Sequence, residues 1–269
     1  MPGKFTTGQL LRTVSRHRAL VLALAMRDLQ ARYVGTLGGL LWALAHPLAV
    51  VVVFYLVFAV GFRSQGPADT PFILWFVAGL VPWFFFSDAL QAITFSVTRN
   101  SHLVKKTIFP TEILPLVHLV SGLIPHVFFL AVLTALMLFF HVPLLAERLL
   151  FLYFLLCMGV LLLGLGWLLA ALQVFYRDIG QALTIVLNLW FWSTPIVWSA
   201  EIMPPSIASW LVYNPMFYIV NGYRDTLIAQ TVTWPPLDQT LVFWAGNLLL
   251  LGLGCLIFHR LKPEFADAL

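Results

Sequence analysis

Six stretches of this chain, at about 38–62, 72–97, 113–140, 149–175, 179–198 and 240–259, are apolar over a length that water does not tolerate. Crossing about 30 Å of hydrocarbon takes roughly 20 mostly apolar residues in helical conformation. Only structures that satisfy their own backbone hydrogen bonds persist there. The predicted fold class is therefore all-α, a polytopic membrane protein of six transmembrane helices. The third and fourth stretches hold few polar groups over more than 20 residues, and the fifth has the least defined ends. Composition agrees: 10% of the 269 residues are charged and 61% hydrophobic, where a soluble domain carries about a quarter charged residues. Pro47, Pro82 and Pro125 fall inside the first three stretches; neighbours re-satisfy the carbonyls they free, so they are read as kinks.

The cations set the orientation. With both termini inside, Lys4, Arg12, Arg16, Arg18, Arg27, Arg32, Arg99, Lys105, Lys106, Arg177, Arg260 and Lys262 are cytoplasmic, and Arg63, Arg148 and Arg224 are outside. This is a strong positive-inside bias. The sequence pI near 9.3 thus reports topology and attraction to anionic membrane lipids, and it excludes a nucleic-acid partner as the source of the basicity. Cys157 and Cys255 both fall inside spans and read as small packing residues.

Residues 1–34 form a separate cytoplasmic entry, and 35–269 the transmembrane domain. Arg12, Arg16 and Arg18 precede a short apolar run that resembles a signal peptide, but the run merges into a helical pattern. Leu22, Met26, Leu29 and Tyr33 share one face, with Arg27, Asp28 and Ala31 opposite, which predicts an amphipathic helix lying on the inner membrane surface. Gly35, Gly38 and Gly39 mark the turn into the first span. Between Ser199 and Gln239, residues such as Ile207, Trp210, Tyr213 and Phe217 are too apolar for open water, while Pro204, Pro205 and Pro215 cut the segment into pieces too short to cross. Short re-entrant or interfacial helices on the outer face are predicted between spans five and six.

No G-x-x-x-x-G-K-[ST] occurs, so the chain lacks that cradle for nucleotide phosphates. The pairs Gly164/Gly166 and Gly252/Gly254 lie within spans and read as close helix packing. Asp88 is the only acid deep in a span, with His46, His118 and His126 as the other titratable groups. That is a thin proton relay, and helix–helix hydrogen bonds or pore-lining groups account for these residues better. No histidine pair has the spacing of a metal site. Two aromatic clusters stand out: Trp75, Trp83, Phe84, Phe85 and Phe86 in the second span, and Trp190, Phe191, Trp192 and Trp198 in the fifth. They read either as interfacial belts or as a path on which sugar rings stack.

The stretch RNSHLVKKTIFPTEILPL, Arg99 to Leu116, is basic and proline-punctuated between two apolar runs. It has the character of a segment on which a cytoplasmic partner pushes. With three other blocks it carries a resemblance. RDLQARYVGTLGGLLWALAHPL from Arg27 to Leu48, LVKKTIFPTEILPL from Leu103 to Leu116, FYRDI from Phe175 to Ile179, and WFWSTPIVW (Trp190 to Trp198) followed by YNPMFYIVNGYRDTL (Tyr213 to Leu227) together resemble the membrane subunit of ABC-2 type polysaccharide exporters, the O-antigen, capsule and teichoic acid export family. Val34 and Thr111 depart from the family pattern, each standing where a cation is frequent.

The resemblance implies a permease that exports a lipid-linked polysaccharide, most readily O-antigen, across a bacterial inner membrane. It implies two copies of this chain, a separate ABC ATPase subunit that binds ATP and magnesium, and no enzyme chemistry or cofactor here. Arg99, Lys105, Lys106, Phe109, Pro110 and Glu112 would form a coupling helix docked on the ATPase, with Phe109 as hydrophobic anchor. Arg177 and Asp178 would make a second contact. Arg27 and Arg32 would meet lipid phosphate, and Arg224 would guide an anion or pair with Asp225. The rival functions are export of a small hydrophobic molecule by the same machinery, a proton-coupled secondary carrier, and a membrane enzyme relying on Glu201 or Asp69.

Overall fold

The computed structural model describes residues 16–33, 41–67, 70–106 and 109–269. Outside it lie residues 1–15, 34–40, 68, 107 and 108, Asp69, and the side chains of Arg32, Tyr33, residues 41–44, His46 and Lys106. Among the described residues every regular element is helical. In chain order these are α1 (Arg18–Tyr33), α2 (Leu41–Phe54) continuing as a π-helix over Tyr55–Gly61, α3 (Phe72–Thr94), α4 (Ser96–Arg99) and α5 (Ser101–Lys106). There follow α6 (Leu114–Phe139), α7 (Phe151–Phe175), α8 (Ile179–Ser193), α9 (Pro205–Ala208), α10 (Pro215–Leu227), α11 (Leu237–Leu261) and α12 (Phe265–Ala268).

Four helical stretches are long and apolar enough to cross a membrane: Phe72–Thr94, Thr111–Phe139, Ala146–Phe175 and Leu237–Ala268. They cover the expected second, third, fourth and sixth spans. The expected first span corresponds to α2 and its π-helical continuation. The expected fifth is α8, whose 15 residues extend about 22 Å at 1.5 Å each. It stops at Ser193 rather than Trp198 because Pro195 has no N–H to continue the ladder and turns the residue before it, Thr194, to extended backbone. By contrast α2, α3 and α6 run through Pro47, Pro82 and Pro125 without a break.

α3 is the axis of the fold. Of its apolar stretch 78% is buried, against 22–39% for the other three candidate spans, and α6, α7, α8 and α10 pack around it. α7 and α11 form the closest pair. A Cβ on Gly254 would collide with the Gly164 carbonyl, and one on Gly164 would press on the backbone at Leu251, so the two helices meet backbone to backbone, as small residues permit in lipid. Gly166 abuts Ile93 of α3, whereas Gly252 faces open space and takes no part in packing.

Two smaller clusters close the basic end. One joins Val97, Leu114, Trp167, Phe258 and Phe265. The other holds α1 on α6 through Val21, Ala25, Ile113 and Val117. Within α1 the face turned to the protein is thus Val21, Leu24, Ala25 and Asp28, one helical stripe. Asp28 accepts from the Ser121 hydroxyl at 2.7 Å and lies 3.3 Å from His118 Nδ1, while Leu22 and Met26 remain exposed on the side where the amphipathic pattern put its apolar face. Residues 199–213 form the short helical pieces expected of that region.

Candidate functional site

At the basic end the chain makes an elbow. α4 and α5 carry Arg99, His102 and Lys105 on the exposed surface, with the Arg99 guanidinium 5.1 Å from the centre of the Phe95 ring. Phe109 is half-buried and packs against both basic-end clusters. Thr111–Ile113 then forms a 3-10 turn into α6, with Pro115 in the first turn, where a missing N–H costs nothing. Glu112 is buried. Its carboxylate accepts from Lys262 Nζ at 2.5 Å and its carbonyl from Trp167 Nε1 at 3.2 Å. The elbow is therefore tied to α7 and to the C-terminal end of α11, and Glu112 already has its cation within the chain.

The second turn at this end is built differently. Tyr176, Arg177 and Asp178 are exposed, and the turn is held from inside. Buried Gln173 donates to the Arg177 carbonyl at 3.2 Å and accepts from the Gly180 N–H at 2.7 Å. Between α1 and the elbow, Arg27 and Arg99 line one cavity of about 210 Å³ together with Asp28, Asn100 and His118. The sequence assigns those two arginines to different tasks; the fold brings them together.

The aromatic clusters of α3 and α8 do face each other, but most of their rings fill the core. Trp83 meets Phe191 at 5.5 Å and Phe86 meets Trp190 at 5.1 Å between ring centres. Trp75, Trp83, Phe85 and Phe86 are buried, Phe84 partly so, and Trp192 is 55% exposed. The exposed side of α8 carries Gln181, Thr184, Asn188 and Trp192, spaced to form one stripe along a helix. Asp88 likewise faces outward from the helix bundle. The buried histidines make interhelical contacts: His118 with Asp28, and His126 Nε2 with the Tyr223 hydroxyl at 3.1 Å. Among the described residues no three His, Cys, Asp or Glu gather as a metal site would require.

Opposite the basic end, sequence reasoning missed an interlock between two motifs. Asn214 caps α10, its side chain accepting from the Met216 N–H at 3.0 Å with Pro215 at the first helical position, the arrangement helix starts favour. The same amide accepts from Trp190 Nε1 at 2.8 Å and donates to Thr194 Oγ1 at 3.0 Å. From the other end of α10, Arg224 reaches inward and donates to the carbonyls of Trp75, Pro195 and Ile196 at 3.2, 2.6 and 2.8 Å. Arg224 is 6% exposed, and a buried charge is tolerated only when its donors are met. Burial lowers its pKa from the ordinary value and the Asp225 charge raises it. Arg148, 4% exposed, is a second clamp: it donates to Pro143, Thr226, Leu227 and Ala229 carbonyls, satisfying the loose C-terminus of α10. Of the three cations expected outside, two are thus internal ties and only Arg63 is exposed. Among the described residues the exposed cations are therefore more one-sided than the sequence count.

A family model described as ABC-2 type transporter matches residues 19–228. The chain is similar to an O-antigen export system permease protein RfbA of Klebsiella pneumoniae, 27% identical over 255 residues that cover 93% of this chain and 95% of that protein. It is also similar to a protein of the same name from Myxococcus xanthus, 27% identical over 263 residues, 97% of this chain and 99% of the relative.

Proposed function

The chain belongs to the ABC-2 type transporter family, and from that premise we propose that it is the permease subunit of an exporter that carries a lipid-linked polysaccharide, of O-antigen type, across the bacterial inner membrane. It works as a homodimer with six spans per copy, α2 and α8 supplying the two that the four longest helices do not. The basic end and both termini face the cytoplasm. A separate ATPase subunit binds ATP and magnesium, and this chain performs no covalent chemistry.

The observation that carries the coupling role is the position of Phe109. Because it packs against both clusters at once, force applied to α5 reaches α1 through one and the α7–α11 pair through the other. Lys105, Lys106 and the second turn at Arg177 and Asp178 are the docking contacts for the ATPase, and Glu112 with Lys262 keeps the elbow stiff. Arg27, Arg32 and Arg99 hold the phosphate groups of the lipid-linked substrate near the membrane surface. The exposed stripe on α8 supports a path between two copies, since lipid does not favour Gln181 and Asn188 while a partner helix or a hydrated passage does. Trp192 offers that path an aromatic face.

The test is reconstitution. With its ATPase in liposomes the chain moves lipid-linked glycan only with ATP, and with an ion gradient alone it moves nothing. Transport driven by the gradient overturns the proposal. ATP-driven transport indifferent to glycan points to the small-molecule exporter instead.

A further inference from the structure

Beside the Arg224 clamp lies an open cleft of about 440 Å³, within the roughly 300–1,000 Å³ of small-ligand sites. Its floor is Arg224 and Trp75, both buried and held by the carbonyl ties described above. Its walls carry Glu201, Asn221, Asp225 and Gln230, from the turn after α8, from the outward face of α10 and from the segment that follows it. None of these four side chains makes a hydrogen bond to another described residue. Two carboxylates that only accept and two amides that both donate and accept line one space.

We propose that this cleft binds a sugar unit of the exported polysaccharide as it emerges, a step that rests on the exporter reading above. Neighbouring hydroxyls of a pyranose each donate and accept. The carboxylates of Glu201 and Asp225 meet their protons, while Asn221 and Gln230 bridge the oxygens left over. The apolar C–H face lies against Pro67 and Ala229 of the lining. A metal ion fits this space less well. The buried Arg224 charge stands next to Asp225 and opposes a second cation, and amides interleave the acids where a metal site would gather carboxylates. Being polar and open, the cleft binds weakly enough for a chain to pass on.

The experiment uses the full-length chain in complex with its ATPase, purified in detergent. The probe is an end-labelled oligosaccharide released by mild acid from the host strain's own lipid-linked glycan. Equilibrium dialysis is expected to show saturable binding, with Kd raised at least tenfold by Asp225→Asn and at least threefold by Gln230→Ala. Gln230 lies on an exposed segment and its replacement leaves the clamp intact. No binding, equal binding by wild type and both variants, or binding of calcium ions without the oligosaccharide would overturn the assignment. The parent reading is scored separately, by deleting the chain. Where deletion leaves surface glycan intact, the exporter reading fails. Where deletion abolishes the glycan but the variants bind as wild type does, the cleft alone loses its role.

Discussion

The guanidinium carbon of Arg224 lies 3.7 Å from the centre of the Trp75 ring, with Gly79 so close beneath that a Cβ there would strike the guanidinium. A cation over an indole is favourable in itself, but the larger effect is the set of carbonyls the same group satisfies. Trp75 opens α3, Pro195 and Ile196 end the α8 turn, and Arg224 sits near the end of α10. One side chain therefore ties together three elements that are well separated in the sequence.

Replacing Arg224 should be among the most damaging single changes in the chain. Arg224→Leu leaves three buried carbonyls without a donor, each costing about 1–3 kcal/mol, and the loss is expected at about 3–5 kcal/mol, the scale for a broken buried charge arrangement. Arg224→Lys restores the charge but not the planar fork, so it rescues only part. Thermal unfolding of the purified protein followed by size-exclusion chromatography measures this. Wild-type melting of Arg224→Leu would show that the clamp contributes little.

The α7–α11 crossing supplies a matched pair. Gly254→Ala forces a methyl against the Gly164 carbonyl, whereas Gly252→Ala points into open space. Overpacking costs about 1–3 kcal/mol, so the first variant should melt lower by several degrees while the second stays within error. Equal behaviour would mean that the helices separate easily at this point.

Such distinctions mark where the sequence runs out. Length and hydropathy alone place α3, α6, α7 and α11, because about 20 apolar residues have few alternatives to crossing a bilayer. They do not say which stripe of a helix meets the protein: α1 buries Val21 and Ala25 and leaves Leu22 and Met26 exposed. Arg224 reads as a partner for Asp225 because the two are adjacent in sequence. On a helix adjacent positions diverge by about 100°, so Asp225 faces the cleft while Arg224 turns inward to carbonyls 28, 29 and 149 residues away. The aromatic clusters are legible as partners in contact. That the contact uses up Trp83 and Phe86 and leaves Trp192 exposed depends on rotation about each helix axis, which aromatic spacing does not encode.

The link between the elbow and the C-terminal segment is expected to show charge-swap behaviour. Glu112→Lys places two cations together in a site where Glu112 is buried and Lys262 partly so, and Lys262→Glu places two anions. A charge-assisted hydrogen bond of this kind contributes about 1.5–3 kcal/mol. Each single reversal should lower both stability and export, and the double reversal should recover most of the melting temperature. A double mutant no better than its parents means that the two residues act independently.

The proposed coupling role of the elbow is tested by reversing the charges of Lys105 and Lys106. In the Lys105→Glu, Lys106→Glu double mutant, docking onto the ATPase is expected to weaken while the helix bundle stays intact, since Lys105 is exposed and surface charge changes usually alter stability by about 0.5 kcal/mol or less. The expected signature is a split: normal membrane insertion and melting, near-normal ATP hydrolysis by the separate subunit, and export reduced at least tenfold. Phe109→Ala should behave otherwise. It removes packing from both clusters, so export falls together with thermal stability and not alone. Wild-type export in the lysine double mutant would place the mechanical contact elsewhere, and the exposed turn at Arg177 and Asp178 would become the segment to alter next.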